Sequence, residues 1–183
     1  MKLPSSRRVR TLLALGPLVA VSWAGAYAAF TDSVDATSSF STGTIAIDAN
    51  DQSGTVSFTS LSMSGMVPGS VNYAPLKISN VGSIAFNYTM TTATSGDGTL
   101  TAGLAIGIKL VATSTCDAGA YGASGTSAYA EATGLGGAGI ATRPLAVGAS
   151  EYLCFKVSLP SGASNTLQGR STDATFTFAA TGT

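Results

Sequence analysis

The chain has no histidine at all, one tryptophan, two cysteines and only 10% charged residues. Each shortage closes off a class of chemistry. Without histidine there is no Ser-His-Asp triad, no Cys-His nucleophile pair and no histidine-ligated zinc. A Ser-Lys dyad is the nucleophilic arrangement the composition still allows, drawing on abundant serines and on Lys77, Lys109 and Lys156. Each of those lysines falls on an expected strand, where a solvated polar face accounts for it. No glycine-rich phosphate loop follows a strand and opens a helix. The sequence therefore nominates no catalytic residue, no cofactor and no metal, and the chain does not read as an enzyme.

Basic residues are also scarce where a polyanion would need them. Four of the nine, Lys2, Arg7, Arg8 and Arg10, crowd the first ten positions without an acid. Residues 11–29 are then apolar and small, and Ala26-Tyr27-Ala28 offers a cleavage site before Ala29. A basic stretch, an apolar stretch and a small-residue site make residues 1–28 a secretory signal peptide. The alternatives are a cut after Ala26, a retained membrane anchor of about 20 apolar residues, or a twin-arginine leader through Arg7-Arg8. Beyond the leader, five basic residues face nine acidic ones, for a net charge of −4. No basic cluster remains to neutralise phosphates, so nucleic acid is not an expected partner. Membrane contact is confined to the leader before cleavage.

What remains after Ala28 is 155 residues, the size of one domain. Its apolar residues alternate. Ile84, Phe86, Tyr88 and Met90 form one such series; Leu104, Ile106, Ile108 and Leu110 a second; Leu153, Phe155, Val157 and Leu159 a third; Phe176 and Phe178 a fourth. Period two means strands with one face toward a core and one toward water, which an antiparallel β-sandwich satisfies. Val56 and Phe58 supply a further short strand. In residues 71–79 the apolar phase switches around Pro75, marking an edge, a bulge or a jump between sheets. Residues 113–141 are dense in Gly, Ala, Ser and Thr, with Tyr121, Tyr129, Leu135 and Ile140 as the larger anchors. They read as a surface excursion, against a pair of poorly patterned strands or a short helix over 127–133.

Cys116 and Cys154 both lie in the exported part, where an even pair reads as a disulfide rather than two free thiols. Cys154 falls on the polar phase of its strand, which puts the bridge outside the main core. Asp48, Asn50 and Asp51 offer oxygen ligands of the kind calcium uses; turn roles account for the same residues. Asn87-Tyr88-Thr89 matches a glycosylation sequon and equally suits a water-facing strand position. Leu159-Pro160-Ser161-Gly162 lacks the Thr-Gly order of a sortase signal.

The junction Ala28-Ala29-Phe30-Thr31-Asp32, followed by Phe40-Ser41-Thr42-Gly43-Thr44-Ile45-Ala46-Ile47-Asp48, resembles the start of TasA and camelysin-type proteins. Val67-Pro68-Gly69-Ser70 and Asn80-Val81-Gly82-Ser83-Ile84-Ala85 are similar to their Pro-Gly turn and Asn-x-Gly-Ser-x-Ala segment. Leu167-Gln168-Gly169-Arg170 resembles their approach to a final aromatic strand. Residues 91–151 carry no such match, and the cysteine pair, absent from the usual pattern, looks like an actinobacterial elaboration. The resemblance implies a jelly-roll-like sandwich, a dedicated signal peptidase, and assembly into matrix fibres in which an amino-terminal segment pairs as a strand with the next subunit. Here that donor would be residues 29–38, with Ala29, Phe30, Thr31, Asp32, Val34 and Ala36 involved and Asp32 interrupting its apolar face.

Three functions compete at this stage. The leading one is a secreted structural subunit of a fibre, biofilm matrix or cell surface, self-associating and served by a minor assembly subunit. The second is a monomeric surface binding module whose 113–141 loop presents Tyr121 and Tyr129. The third, a camelysin-like metallopeptidase, has no histidine ligand to work with.

Overall fold

A computed structural model describes residues 41–54 and 58–183. The signal peptide, its cleavage residues Ala26, Ala28 and Ala29, and the donor positions Ala29, Phe30, Thr31, Asp32, Val34 and Ala36 lie outside the described residues, as does Val56.

The chain builds β1 (Ile47–Ala49), β2 (Val71–Asn80), β3 (Phe86–Gly96), β4 (Ala105–Val111), β5 (Ser127–Thr133), β6 (Gly139–Leu145), β7 (Ser150–Ser158) and β8 (Thr172–Gly182), with two short helices, α1 (Gly98–Gly103) and α2 (Ala118–Ala123). The strands form a five-stranded sheet in the order β1-β2-β7-β4-β5 and a three-stranded sheet in the order β6-β3-β8. Every strand pairing is antiparallel. The protein is an all-β sandwich. Among the described residues no helix is long and apolar enough to cross a membrane.

The alternating series become the inner faces. Ile78, Ile106, Ile108, Leu153 and Phe155 from one sheet meet Phe86, Tyr88 and Met90 from the other, each at most 1% exposed. Fully burying side chains of this size is worth about 1.5–3 kcal/mol apiece, so these positions dominate the hydrophobic gain. Two polar groups join the sheets at one place. Arg143 of β6 clamps the Glu151 carboxylate through Nε at 3.0 Å and Nη2 at 2.7 Å, and the buried Tyr88 hydroxyl donates to the same carboxylate.

β2 runs without a register shift against β7 from Val71 to Ser79. Its phase change is therefore no bulge and no jump between sheets: Val71 and Tyr73 lie on the outer face, while Ala74, Leu76 and Ile78 point inward. Pro75 survives because β1 pairs only with Ile78–Asn80, leaving β2 paired on one side only, with β7, at the proline. Phe58 belongs to no strand. It precedes a single 3-10 turn, Thr59–Leu61, and its ring packs edge-on to Phe155 at 5.2 Å.

Residues 113–141 are not a surface excursion. They supply α2, the fifth strand of one sheet and the start of β6 in the other. The segment 127–133 is strand β5, and the helix lies upstream at Ala118–Ala123. The anchors explain the difference: Tyr121, Leu135 and Ile140 are all buried, at 8%, 5% and 3% exposure. A strand at a sheet edge can be built from small residues because little of its surface is covered, so it shows no hydrophobic alternation to read.

Candidate functional site

Two loops set where the chain comes in and where its edge lies open. The first is the corner after β2. Asn80 is 1% exposed, and its amide nitrogen donates to the carbonyls of Ile84 at 3.0 Å and Leu145 at 3.1 Å, while its oxygen accepts from Gly82 N–H at 2.9 Å. Gly82 allows the incoming backbone to pass: a Cβ there would overlap Thr44 O and Ala46 N. Residues 44–46 thus lie against 81–83, with Val81 N–H donating to Ala46 O at 3.0 Å and Ser83 N–H to Thr44 O at 2.9 Å. The Asn-x-Gly-Ser segment singled out in the sequence is the clamp that holds this stretch.

The second is the start of β8. Asp97 caps α1 by accepting from Leu100 N–H at 2.8 Å, and it pairs with Arg170, whose Nε donates to Thr166 O at 2.6 Å. The Leu100 N–H first, and Arg170 beside it, hold the Asp97 carboxyl below the usual carboxylate range. Asp97 N–H donates to Ser171 O at 2.9 Å, and the Thr101 and Thr172 hydroxyls meet at 2.6 Å. β8 is therefore launched from a fixed point.

Among the described residues β8 itself pairs on one side only, with β3. It pairs with β3 through eleven consecutive residues without a register shift. Its inward residues Ala174, Phe176, Phe178 and Ala180 stay only half buried. Other edges are guarded: β1 has three residues, β5 carries register shifts, and β6 carries a shift and Pro144. β8 has no proline and no basic residue, and its one charge is Asp173 at the start.

Beside that start, between the two sheets, opens a cavity of about 640 Å³, within the range of ligand-sized pockets. Phe58, Leu61, Met66, Leu104, Leu159 and Phe176 give it an apolar basin, and Arg170 stands at its polar side. The strip of chain carrying Phe58 and Leu61 is tied to β2 by Asn72, whose amide donates to Ser60 O at 3.0 Å. Sequence reasoning missed this cavity, because its walls come from 3-10 turns and loops that carry no periodicity. The half-filled phase of β8 was the available signal.

The remaining candidates resolve individually. Cys116 and Cys154 form the expected disulfide, with Cα atoms 5.3 Å apart. Cys154 is fully buried, on the face of β7 away from Leu153 and Phe155. On that same outer face the Tyr121 ring lies over Gly107, where any Cβ would collide with its hydroxyl. Lys109 Nζ sits 4.8 Å from the ring centroid, and Tyr73 packs at 5.7 Å. Burial first, then Glu131, push the Tyr121 hydroxyl up to about 12. Tyr121 is thus spent on internal packing, and the half-buried Tyr129 leans on the core cluster.

Lys77 pairs with Asp51 at 2.7 Å, Lys156 pairs with Glu131 at 2.7 Å, and Lys109 donates to the carbonyls of Tyr121 and Ser124. These contacts are to carboxylates and carbonyls. Asn50 and Asp51 occupy consecutive left-handed positions, φ 49° and 60°, in a tight turn closed by Ala49 and Gln52. Among the described residues no group of three or more Cys, Asp or Glu side chains gathers as a metal would need. Compared with known proteins, the chain matches no protein-family profile and no characterised sequence.

Proposed function

We propose that this protein is an exported structural subunit of an extracellular fibre, biofilm matrix or cell surface. Copies assemble when the amino-terminal residues 29–38 of one pair as a strand with another. The observation that carries this reading is the β8 edge: eleven regular residues, paired on one side only among the described residues, with a half-covered aromatic inner face. Such an edge accepts a strand through main-chain hydrogen bonds, and alternate side chains fill the gap beneath. The reading includes release by a dedicated signal peptidase, a minor assembly subunit and the jelly-roll connectivity of TasA-like proteins, which the sequence resembles. No catalytic role is proposed.

Lysines on an edge strand oppose pairing while leaving the strand itself intact. The test is a Thr175→Lys/Thr177→Lys double variant of the mature chain, since both side chains are exposed. Assembly followed by sedimentation is expected to fall by about tenfold or more, equivalent to about 1.4 kcal/mol per contact, with an unchanged circular dichroism spectrum. Undiminished assembly would rule β8 out as the accepting edge.

A further inference from the structure

Protein interiors are close-packed and rarely leave voids much larger than a water molecule, yet about 640 Å³ stays open between the sheets beside β8. We propose that this cavity is a binding site for a straight-chain carboxylic acid. The hydrocarbon tail lies in the apolar basin, and the carboxylate accepts hydrogen bonds from the Arg170 guanidinium. The site does not depend on assembly: a chain that never pairs with a sister copy binds the acid equally.

Three features converge. The first is that the cavity is held open. One wall is the strap of residues 58–66, which is pinned at several points instead of collapsing inward. The Asn72 amide donates to Ser60 O at 3.0 Å and to Ser62 O at 3.4 Å, and Val67 N–H donates to Ser70 Oγ at 3.0 Å. The Phe58 ring packs against Phe155 at 5.2 Å and Phe176 at 6.4 Å. The second feature is the lining. Leu100, Leu104, Leu135, Val157 and Leu159 are buried core residues, and all five also line the cavity. Met63 and Met66 line it from the strap, and their unbranched, polarizable side chains adapt to a flexible ligand. A saturated tail asks such walls for no hydrogen bond.

The third feature is charge. Arg170 is the one basic residue among those lining the cavity. Its Nε donates to Thr166 O at 2.6 Å and its Nη1 to Asp97, so the guanidinium is fixed in place. Its Nη2 donates to no acceptor among the described residues. Asp97 is already spent, with one oxygen on Leu100 N–H and the other on Arg170. Asp173 belongs to the exposed phase of β8, opposite Ala174 and Phe176, and does not compete for the guanidinium. The group that completes this arrangement is an anionic acceptor, and charge-assisted hydrogen bonds to a guanidinium are the strong kind.

The probe is N-phenylnaphthylamine, a neutral dye that brightens in apolar surroundings, bound to the mature chain and displaced by a series of straight-chain carboxylates from octanoate to dodecanoate. Each added pair of methylenes is expected to tighten binding about tenfold, and dodecanoate to bind about tenfold better than dodecanol. Leu61→Trp fills the basin from the half-buried strap and should weaken dodecanoate by about tenfold or more, with an unchanged urea midpoint. In Arg170→Gln the preference for acid over alcohol should shrink to less than about twofold, a ratio that a general loosening of the fold does not alter. Displacement that ignores chain length, or dodecanoate bound undiminished by Leu61→Trp, overturns the basin. Dodecanol bound as tightly as dodecanoate, or a preference for the acid that persists in Arg170→Gln, overturns the role of the guanidinium. Strand pairing fails or stands separately, on the sedimentation of the lysine variant above.

Discussion

Asn80 illustrates how much one side chain can carry in a sandwich this lean in polar groups. Its amide closes three hydrogen bonds across the corner where residues 44–46 pass, one of them buried and two partly so. Asn80→Ala leaves two carbonyls and one N–H without partners, at a cost of about 2–3 kcal/mol, readable as a lower urea midpoint with an unchanged slope. Tyrosine supplies the pH dependence that histidine would supply elsewhere. Burial, then the hydrogen bond to Glu151, raises the Tyr88 hydroxyl above its ordinary value, and Tyr121 is raised to about 12. In the unfolded chain both ionise near 10. Above that pH the unfolded state sheds protons that the folded state keeps, so stability is full below pH 10 and declines as pH climbs toward about 12. Urea titrations at about pH 9 and about pH 11 should show this loss, and Tyr88→Phe should lose less over the same interval despite a lower starting stability. The absence of histidine was plain in the sequence. The partners of Tyr88 were not, because Arg143 and Glu151 are brought together from different sheets.

At the scale of elements, legibility followed periodicity. β3, β4, β7 and β8 each turn one alternate set of large apolar side chains toward the core, and the sequence carried that alternation openly. β5 did not announce itself, since an edge strand of small residues has no second phase to contrast with. Pro75 was visible, but the brevity of β1 that lets the strand tolerate it was not. The cavity beside β8 was illegible for a related reason: its walls are non-repeating. The disulfide belongs to this scale as well, because it ties the stretch before α2 to the centre of the five-stranded sheet. It closes a separation of 38 residues, for which chain entropy gives about 3–4 kcal/mol. A Cys116→Ala/Cys154→Ala variant should unfold at correspondingly lower urea, with β8 and the amino-terminal corner unaffected in their exchange behaviour.

Among the described residues the sandwich is lopsided, five strands facing three. The deficit falls beside β8, so the inner aromatics of that strand are left half covered. Nothing in composition could have located that deficit, though the net charge of −4 beyond residue 28 and the scarcity of catalytic side chains both suit a building block. In the proposed assembly a strand borrowed from a sister copy would extend the smaller sheet and cover Phe176 and Phe178 at once, so burial and main-chain hydrogen bonding would favour the same assembly. The most direct test is hydrogen exchange of β8 amides in the mature protein, compared between dilute and concentrated samples. The account predicts strong new protection along Thr172–Gly182 on concentration, with β5 unchanged. Exchange in β8 that is as fast in the concentrated sample as in the dilute one would contradict it.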